Sequence, residues 1–368
     1  MENPIPENHP LPDKTEAPQC SVALLGYGTV GRAVDEMLRD KRLGLVVERI
    51  FRRPGKTDGD PRFTDDLASI LDDPRISIVI DVMAGAEPSR SAIAAALERG
   101  KSVVTANKAA IGPVLDELAA LARNKRAALA IEASCGGAIP WIANIQRVRE
   151  IEPISAFFGI LNGTGNFILG EVAAGKPFSA ALADAQKAGY AEADPSADLD
   201  GLDLAAKAQI SAAAAFGVLV PQERIPRATL RGVTSAFLKG AESLGFALRF
   251  MAFGRMTETG PALGVFPALL PQSRIESRIT KNFNCASLVC PGAGELVFAG
   301  AGAGGRPTAD AVVNDAAAVA RGEMKPLPAI VGLPQNACMA EIVGDAYFAA
   351  PDGSMETTPM RATTAKKS

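Results

Sequence analysis

The sequence predicts an α/β protein: a doubly wound parallel sheet with helices on both faces, in a chain long enough for a second domain. Three observations carry this. The apolar run at 22–25 leads through Gly26, Gly28 and Gly31 into a helical pattern. Apolar runs and helical patterns then alternate to about residue 134, as they do when a parallel sheet is covered on both faces. Finally, 368 residues with 48% apolar content suit two cores better than one.

Taken in order, residues 22–25 form the first buried strand, and Val30, Ala33, Val34 and Leu38 recur at helical period after the glycines. Strand, G-x-G-x-x-G-like turn and helix are the parts of a Rossmann-type dinucleotide site. The second glycine admits a pyrophosphate to the backbone, and the helix N-terminus offers unpaired amides and partial positive charge. Gly26, Gly28, Thr29, Val30 and Gly31 are therefore expected to bind cofactor. The next run, LGLVVERIF, is the second strand. Where an acid for ribose hydroxyls is common, it ends in Arg52 and Arg53, which suit a 2′-phosphate and favour NADP over NAD. ISIVIDVMAG, SRSAIAAALERG, SVVTA, VLDELAALARNK and AALAIEAS continue the alternation. Ligands of such sheets lie beyond the carboxyl ends of the strands, which puts residues 84–86, TANK at 105–108 and EASCGG at 132–137 on one rim. Lys108 follows a strand end, where the nicotinamide half of a dinucleotide would lie.

A net charge of −3 without long basic runs proposes neither nucleic acid nor a membrane surface, so the expected partner is a small molecule. Five scattered cysteines show no zinc or disulfide spacing, and the single histidine, His9, leaves no histidine-based metal site or triad. Residues 1–19 are polar and proline-rich and read as a disordered leader. They lack a signal-peptide core, no later run approaches ~20 apolar residues, and a cytoplasmic setting is expected.

The segment GYAEADPSADLDGLDLAAK, 189–207, holds five carboxylates and ends in Lys207. Leu199, Leu202, Ala205 and Ala206 set apolar residues beside Asp203 and Lys207, which are four apart and share a helix face. An exposed ion pair would not need that apolar border, so an enclosed face turned toward a substrate is expected.

VVTANKAAIG, EASCGGAIP, GILNGTGNFIL, the 189–207 segment and GAGAGGRPTADAVV together resemble the homoserine dehydrogenase family in order and spacing, over roughly residues 20–320. The resemblance implies reversible hydride transfer between NAD(P)H and L-aspartate 4-semialdehyde, giving L-homoserine on the route to threonine and methionine. It implies a dinucleotide-binding domain at 20–148 and an α+β catalytic and dimerisation domain at 149–298, built on a mixed sheet that also pairs subunits into a homodimer. A segment at 299–330 would return to the nucleotide domain, and a short tail at 331–368 would hold no regulatory domain, so threonine inhibition through one is not expected.

By the same resemblance, Glu192, Asp198 and Asp203 match substrate-binding carboxylates, Lys207 the catalytic lysine and Lys108 a second active-site lysine. Gly189 and Gly302 fall in segments near the nicotinamide half. A monovalent cation such as sodium would be held by the Glu132 side chain and the main-chain carbonyls of Cys135, Gly137 and Ile139. The chain departs from the family pattern at Gly165 and in the wording of 271–295. A catalytically silent dinucleotide-binding sensor, or another amino-acid or aldehyde dehydrogenase of this architecture, is the alternative. Retention of Lys108, Glu192, Asp203 and Lys207 together favours the enzyme.

Overall fold

The computed structural model describes residues 20–39, 43–56, 59–302 and 304–333, with the backbone of two further strands at 342–349 and 355–362. The leader, His9 and about half of the tail lie outside the described residues. The chain opens with β1 (Cys20–Leu25), α1 (Thr29–Leu38), β2 (Leu45–Phe51), β3 (Phe63–Thr64), α2 (Leu67–Leu71), β4 (Ile76–Asp81), α3 (Ser89–Glu98) and β5 (Ser102–Thr105). Then follow α4 (Lys108–Ile111), α5 (Leu115–Lys125), β6 (Leu129–Ala130) and α6 (Trp141–Arg149). The six strands form one parallel sheet in the order β3-β2-β1-β4-β5-β6.

Side chains alternate across a strand, and both faces here are buried. Val22 and Leu24 point into a cluster with Val34, Leu38, Val312 and Ala316. Ala23 and Leu25 belong to the other, with Ile93, Leu97 and Leu118. That double burial explains why these strands read as continuous apolar runs.

The second part begins with β7 (Ala156–Ile160), followed by α7 (Gly163–Ala173), α8 (Phe178–Lys187), α9 (Ser196–Leu199), α10 (Leu202–Phe216), β8 (Val218–Leu219) and α11 (Ser235–Ser243). Then come β9 (Phe246–Thr257), β10 (Gly260–Pro271), β11 (Phe283–Cys290) and β12 (Gly294–Ala301). Five of these strands form a sheet in the order β10-β9-β7-β11-β12, and every neighbouring pair is antiparallel. The expectation of a mixed sheet is corrected. β9/β10 and β11/β12 are hairpins, which can only pair antiparallel, and β7 runs opposite to both neighbours. Among the described residues a single parallel bridge joins Arg227, outside the strands, to Val265 of β10.

α12 (Gly305–Ala320) returns to pack beside α1, while β13 (Val331–Gly332) pairs with β8. β14 (Ile342–Ala349) and β15 (Met355–Ala362) pair antiparallel. α10 lies on β9 and β10 with Leu204, Ala205, Ala208 and Ala212 fully buried, its alanines allowing close approach. The packing fixes the face that carries Asp203 and Lys207. Among the described residues no helix is long and apolar enough to cross a membrane.

Candidate active site

The glycine turn after β1 explains its own composition. Gly26 has φ 99°, and a Cβ there would stand 3.0 Å from the Val82 carbonyl carbon. A Cβ at Gly31 would stand 2.4 Å from the Gly26 oxygen, so only glycine lets α1 sit down on the turn. Gly28 begins α1 with no side-chain cap, and the space a Cβ would enter is open. The helix therefore presents free amides to open space, with Thr29 exposed and Val30 half-buried beside it. At the end of β2, the Arg52 guanidinium lies 4.6 Å from the Phe63 ring centroid and 5.8 Å from that of Tyr27, while Arg53 is exposed. Tyr27 is fixed in turn, its hydroxyl donating to Asp35 Oδ2 at 2.7 Å. Asp35 also accepts from Arg62.

Lys108 is the first residue of α4. Its predecessor Asn107 caps that helix by accepting from the Ala110 amide (3.1 Å), and donates to the carbonyls of Met83 and Gly85. From the second part, α10 brings Lys207 Nζ to Asp203 Oδ2 at 2.8 Å and to the Leu161 carbonyl at 2.5 Å. Lys108 Nζ reaches the other oxygen, Asp203 Oδ1, at 3.2 Å. One carboxylate thus sits between two ammonium groups carried by two helices, α4 of the first part and α10 of the second. Burial alone would raise the Asp203 carboxyl, but Lys207 and Lys108 outweigh it and hold it well below the usual carboxylate range. Asp203 in turn raises Lys108. Asp198 is raised by burial and then by the charge of Asp203.

Asn162, 2% exposed, links the two acids, donating through Nδ2 to Asp198 Oδ1 (2.7 Å) and Asp203 Oδ2 (3.0 Å). Glu192 is exposed in the loop before α9, and among the described residues its carboxylate makes no hydrogen bond or ion pair. Gly189, at φ 74°, stands just beyond the end of α8 with open space around it.

A third group of residues lies behind Lys207. The Glu132 side chain is buried and accepts from the amides of Ile142 (2.9 Å) and Ala143 (2.7 Å) at the start of α6. Burial nevertheless pushes its carboxyl up to about 7. Its own amide donates to Asp315 Oδ2 at 3.0 Å, and burial, then the charge of Glu132, raises Asp315 as well. Cys135 Sγ lies 3.5 Å from Ser211 Oγ and 3.7 Å from the Lys207 carbonyl, and burial pushes the thiol up to about 12. The Ile139 carbonyl accepts from the Trp141 amide at 2.7 Å. Gly137 closes the group, since a Cβ there would stand 2.4 Å from the Gly302 oxygen. Asn284 Nδ2 donates to the carbonyls of Gly136 and Gly302, and its Oδ1 is buried without a partner among the described residues.

Of the residues singled out in the sequence, Lys108, Asp198, Asp203 and Lys207 converge, Glu132, Cys135, Gly137, Ile139 and Gly302 cluster behind them, and Gly26 to Gly31 with Arg52 line the sheet rim. Glu192 and Gly189 stand at the surface. Sequence reasoning missed Asn162, Asn107, Tyr27 and Asn284. Asn107 stood within the quoted TANK stretch, and Asn162 preceded a helix start after an apolar run, which is the one signal that marked it.

A Rossmann-type sheet with an open glycine turn, joined to a second sheet whose helix sets a lysine–aspartate pair against a rim lysine, defines a two-domain nicotinamide-dinucleotide oxidoreductase. The homoserine dehydrogenase family profile matches residues 140–316, and the profile described as homoserine dehydrogenase, NAD binding domain, matches residues 26–132. Homoserine dehydrogenase of Mycobacterium tuberculosis is 39% identical over 317 residues, covering 82% of this chain and 72% of that protein. Among solved structures, a homoserine dehydrogenase from Thiobacillus denitrificans superposes with TM-score 0.79 at 32% identity, over 87% of this chain and 81% of its own. A hyperthermophilic archaeal homoserine dehydrogenase in complex with NADPH gives TM-score 0.74 at 26% identity, over 84% and 100%. The chain belongs to the homoserine dehydrogenase family.

Proposed function

We propose that the chain catalyses the reversible NADP-dependent interconversion of L-aspartate 4-semialdehyde and L-homoserine, a step on the way to threonine and methionine, in the cytoplasm. The observation that carries this reading is Asp203 bridging Lys207 and Lys108 at the junction of the two sheets. The bound nicotinamide supplies or accepts the hydride.

The remaining work falls to side chains of this protein. As the aldehyde oxygen gains negative charge, the Lys207 ammonium stabilises it and delivers the proton; in the reverse direction its neutral amine takes the hydroxyl proton. Asp203 keeps that ammonium aimed into the site. Lys108, on the cofactor side, adds a second positive charge. Asp198, with Glu192 at the cleft mouth, takes the substrate's amino group and fixes the register of the aldehyde. Gly26, Gly28, Thr29, Val30 and Gly31 take the pyrophosphate, Arg52 with Arg53 the 2′-phosphate, and Gly302 with Gly189 border the nicotinamide half.

Glu132 and the carbonyls of Cys135, Gly137 and Ile139 form a hard-oxygen donor set with a single carboxylate, which fits a monovalent cation such as sodium. The Asn284 Oδ1 beside this loop, buried without a partner among the described residues, supports that reading. Such a cation would stiffen the loop on which Cys135 touches the Lys207 backbone.

A homodimer is supported by one face of the second sheet. Phe253, Phe158, Ser287 and Val297 form a cross-strand row, half-buried except for Ser287, while their neighbours Phe157, Leu263 and Leu288 turn into the core.

The test follows NADPH absorbance on adding aspartate semialdehyde, with succinic semialdehyde as the control that lacks the amino group. Rapid oxidation with the first and little with the second is the expected result. Equal rates would remove the amino-group assignment, and no oxidation with either would remove the enzyme.

A further inference from the structure

We infer that Asn162 is a positioning residue that divides the two active-site aspartates, committing Asp203 to the lysines and keeping Asp198 ready for the substrate's ammonium group. This rests on the function proposed above, and concerns a residue that touches neither lysine.

The orientation of the Asn162 amide is dictated by its surroundings. The amide N–H of Gly165 donates to Oδ1 at 2.6 Å as Asn162 caps α7, so the NH2 end must face the carboxylates. Both of its hydrogens are then used, one on Asp198 Oδ1 and one on Asp203 Oδ2. The missing side chain at Gly165 belongs to the same arrangement. A Cβ there would stand 3.0 Å from Asn162 Oδ1 and 2.9 Å from Leu230 Cδ1, so the close approach of this N–H suits glycine.

The two acids end up in different states of commitment. Asp203 is engaged on both oxygens, Oδ2 by Lys207 and Asn162 and Oδ1 by Lys108. Asp198, on α9, has no ion pair of its own among the described residues. The groups acting on it are Asp203 and Lys207 of α10, Lys108 of α4, the hydrogen-bond donor Asn162, and the nearby hydroxyl of Thr164, which itself donates to the Tyr190 carbonyl. Burial and Asp203 press it toward the neutral acid, whereas Asn162, Lys207 and Thr164 press it toward the carboxylate. A neutral double donor therefore keeps the second charge available without quenching it, which a lysine at 162 could not do. It also holds two like charges apart at a fixed spacing.

The decisive variant is Asn162→Asp, which keeps an acceptor for the Gly165 amide but removes both donors and adds a third carboxyl. The acid limb of kcat/KM for aspartate semialdehyde should move up by about one pH unit. Near neutral pH, KM for that substrate should rise about 10-fold or more, with a smaller change in kcat. KM for NADPH and the slow use of succinic semialdehyde, which has no ammonium group, should not follow. An unshifted pH profile, or equal losses for both aldehydes, would reduce Asn162 to a helix cap and overturn the inference. Should Asn162→Asp fail to fold, Asp198→Asn leaves the α7 cap intact and must show the same amine-selective rise in KM; an unchanged KM overturns the inference equally. Carboxyl 13C titration of Asp198 in wild type and Asn162→Asp reads the same effect without turnover, so an enzyme inactive on aspartate semialdehyde would sink the functional reading while this assignment is still tested.

Discussion

Lys207 and Asp203 are separated by one helical turn, an arrangement that on an exposed helix stabilises by only ~0.3–0.5 kcal/mol. Here both side chains are 13% exposed, and a second ammonium, Lys108, shares the carboxylate. On the mechanism proposed above, enclosure would turn a surface pair into a proton donor held in one direction. Lys207→Met should therefore lower turnover by about 100-fold or more, the scale of a lost general acid, while NADPH binding followed by fluorescence stays near wild type. Retention of most turnover would hand the proton-donor role to Lys108. Glu132 supplies a second prediction, read in stability. Its carboxyl sits at about 7 because it is buried. In the unfolded chain it ionises near pH 4.3, so between those values the folded state holds the extra proton and stability falls as pH rises. The loss begins above the unfolded value and is complete above about 7, with an upper limit of roughly 3.5 kcal/mol. Glu132→Gln, measured by urea unfolding in a buffer free of alkali cations, should lessen the slope of stability across pH 4.5–7.5, leaving the part due to buried Asp315. The same slope in wild type and variant would place the titration elsewhere.

At the level of elements, the first sheet was legible because parallel strands buried on both faces leave unbroken apolar runs, and because a glycine turn must stand between β1 and α1. Lys108 was legible for the same reason, as the residue following a strand end. The second sheet was not. Its strands mix arginine with apolar residues, as in FALRFMAFGRMT of β9, and nothing local states that each neighbour runs antiparallel. Asn162 was invisible as a clamp because its partners stand 36 and 41 residues further on, brought back only by the folding of α9 and α10. The end of β2 falls between these cases: Arg52 and Arg53 were legible as a pair, but the structure separates them. Arg52 is stacked beside Phe63 and Tyr27, its freedom already reduced before any ligand arrives, whereas Arg53 stands in solvent. A preset guanidinium loses less entropy on taking a phosphate. Arg52→Gln alone should therefore raise KM for NADPH by about 10-fold, the scale of one to two charge-assisted hydrogen bonds. Arg53→Gln should do less, and KM for NADH should barely change with either. Equal effects on the two cofactors would separate Arg52 from the 2′-phosphate.

Across the whole molecule, the two sheets are joined where the chemistry is proposed to take place. Lys108 meets Asp203, Gly137 meets Gly302, and Asn284 ties the carbonyls of Gly136 and Gly302 to β11. The face of the second sheet opposite α10 is covered only in part, with Met251 and Ser287 buried and other positions half-buried. Phe253 and Phe158 pair across β9 and β7, and Val297 continues the row through Ser287, while Phe266 and Leu270 share that side of β10. Part of the row is screened, since the Arg274 guanidinium lies 5.2 Å from the Phe158 centroid and pairs with Glu276 and Glu295. Phe253, Phe266 and Leu270 are half-buried. In the homodimer proposed above, a two-fold axis through the sheet would set this face against one of identical composition. Obligate homodimers bury about 2,000 Å² or more, largely apolar, so one charge within the row should be enough to part them. Light scattering on the full chain at micromolar concentration should give twice the mass of a single chain for wild type, and the single-chain mass for Phe253→Arg. Circular dichroism of the variant should keep its helical signal, because Phe253 points away from the core that α10 seals. A wild-type protein that runs as one chain, or a Phe253→Arg variant that remains paired, would move the subunit contact off this face.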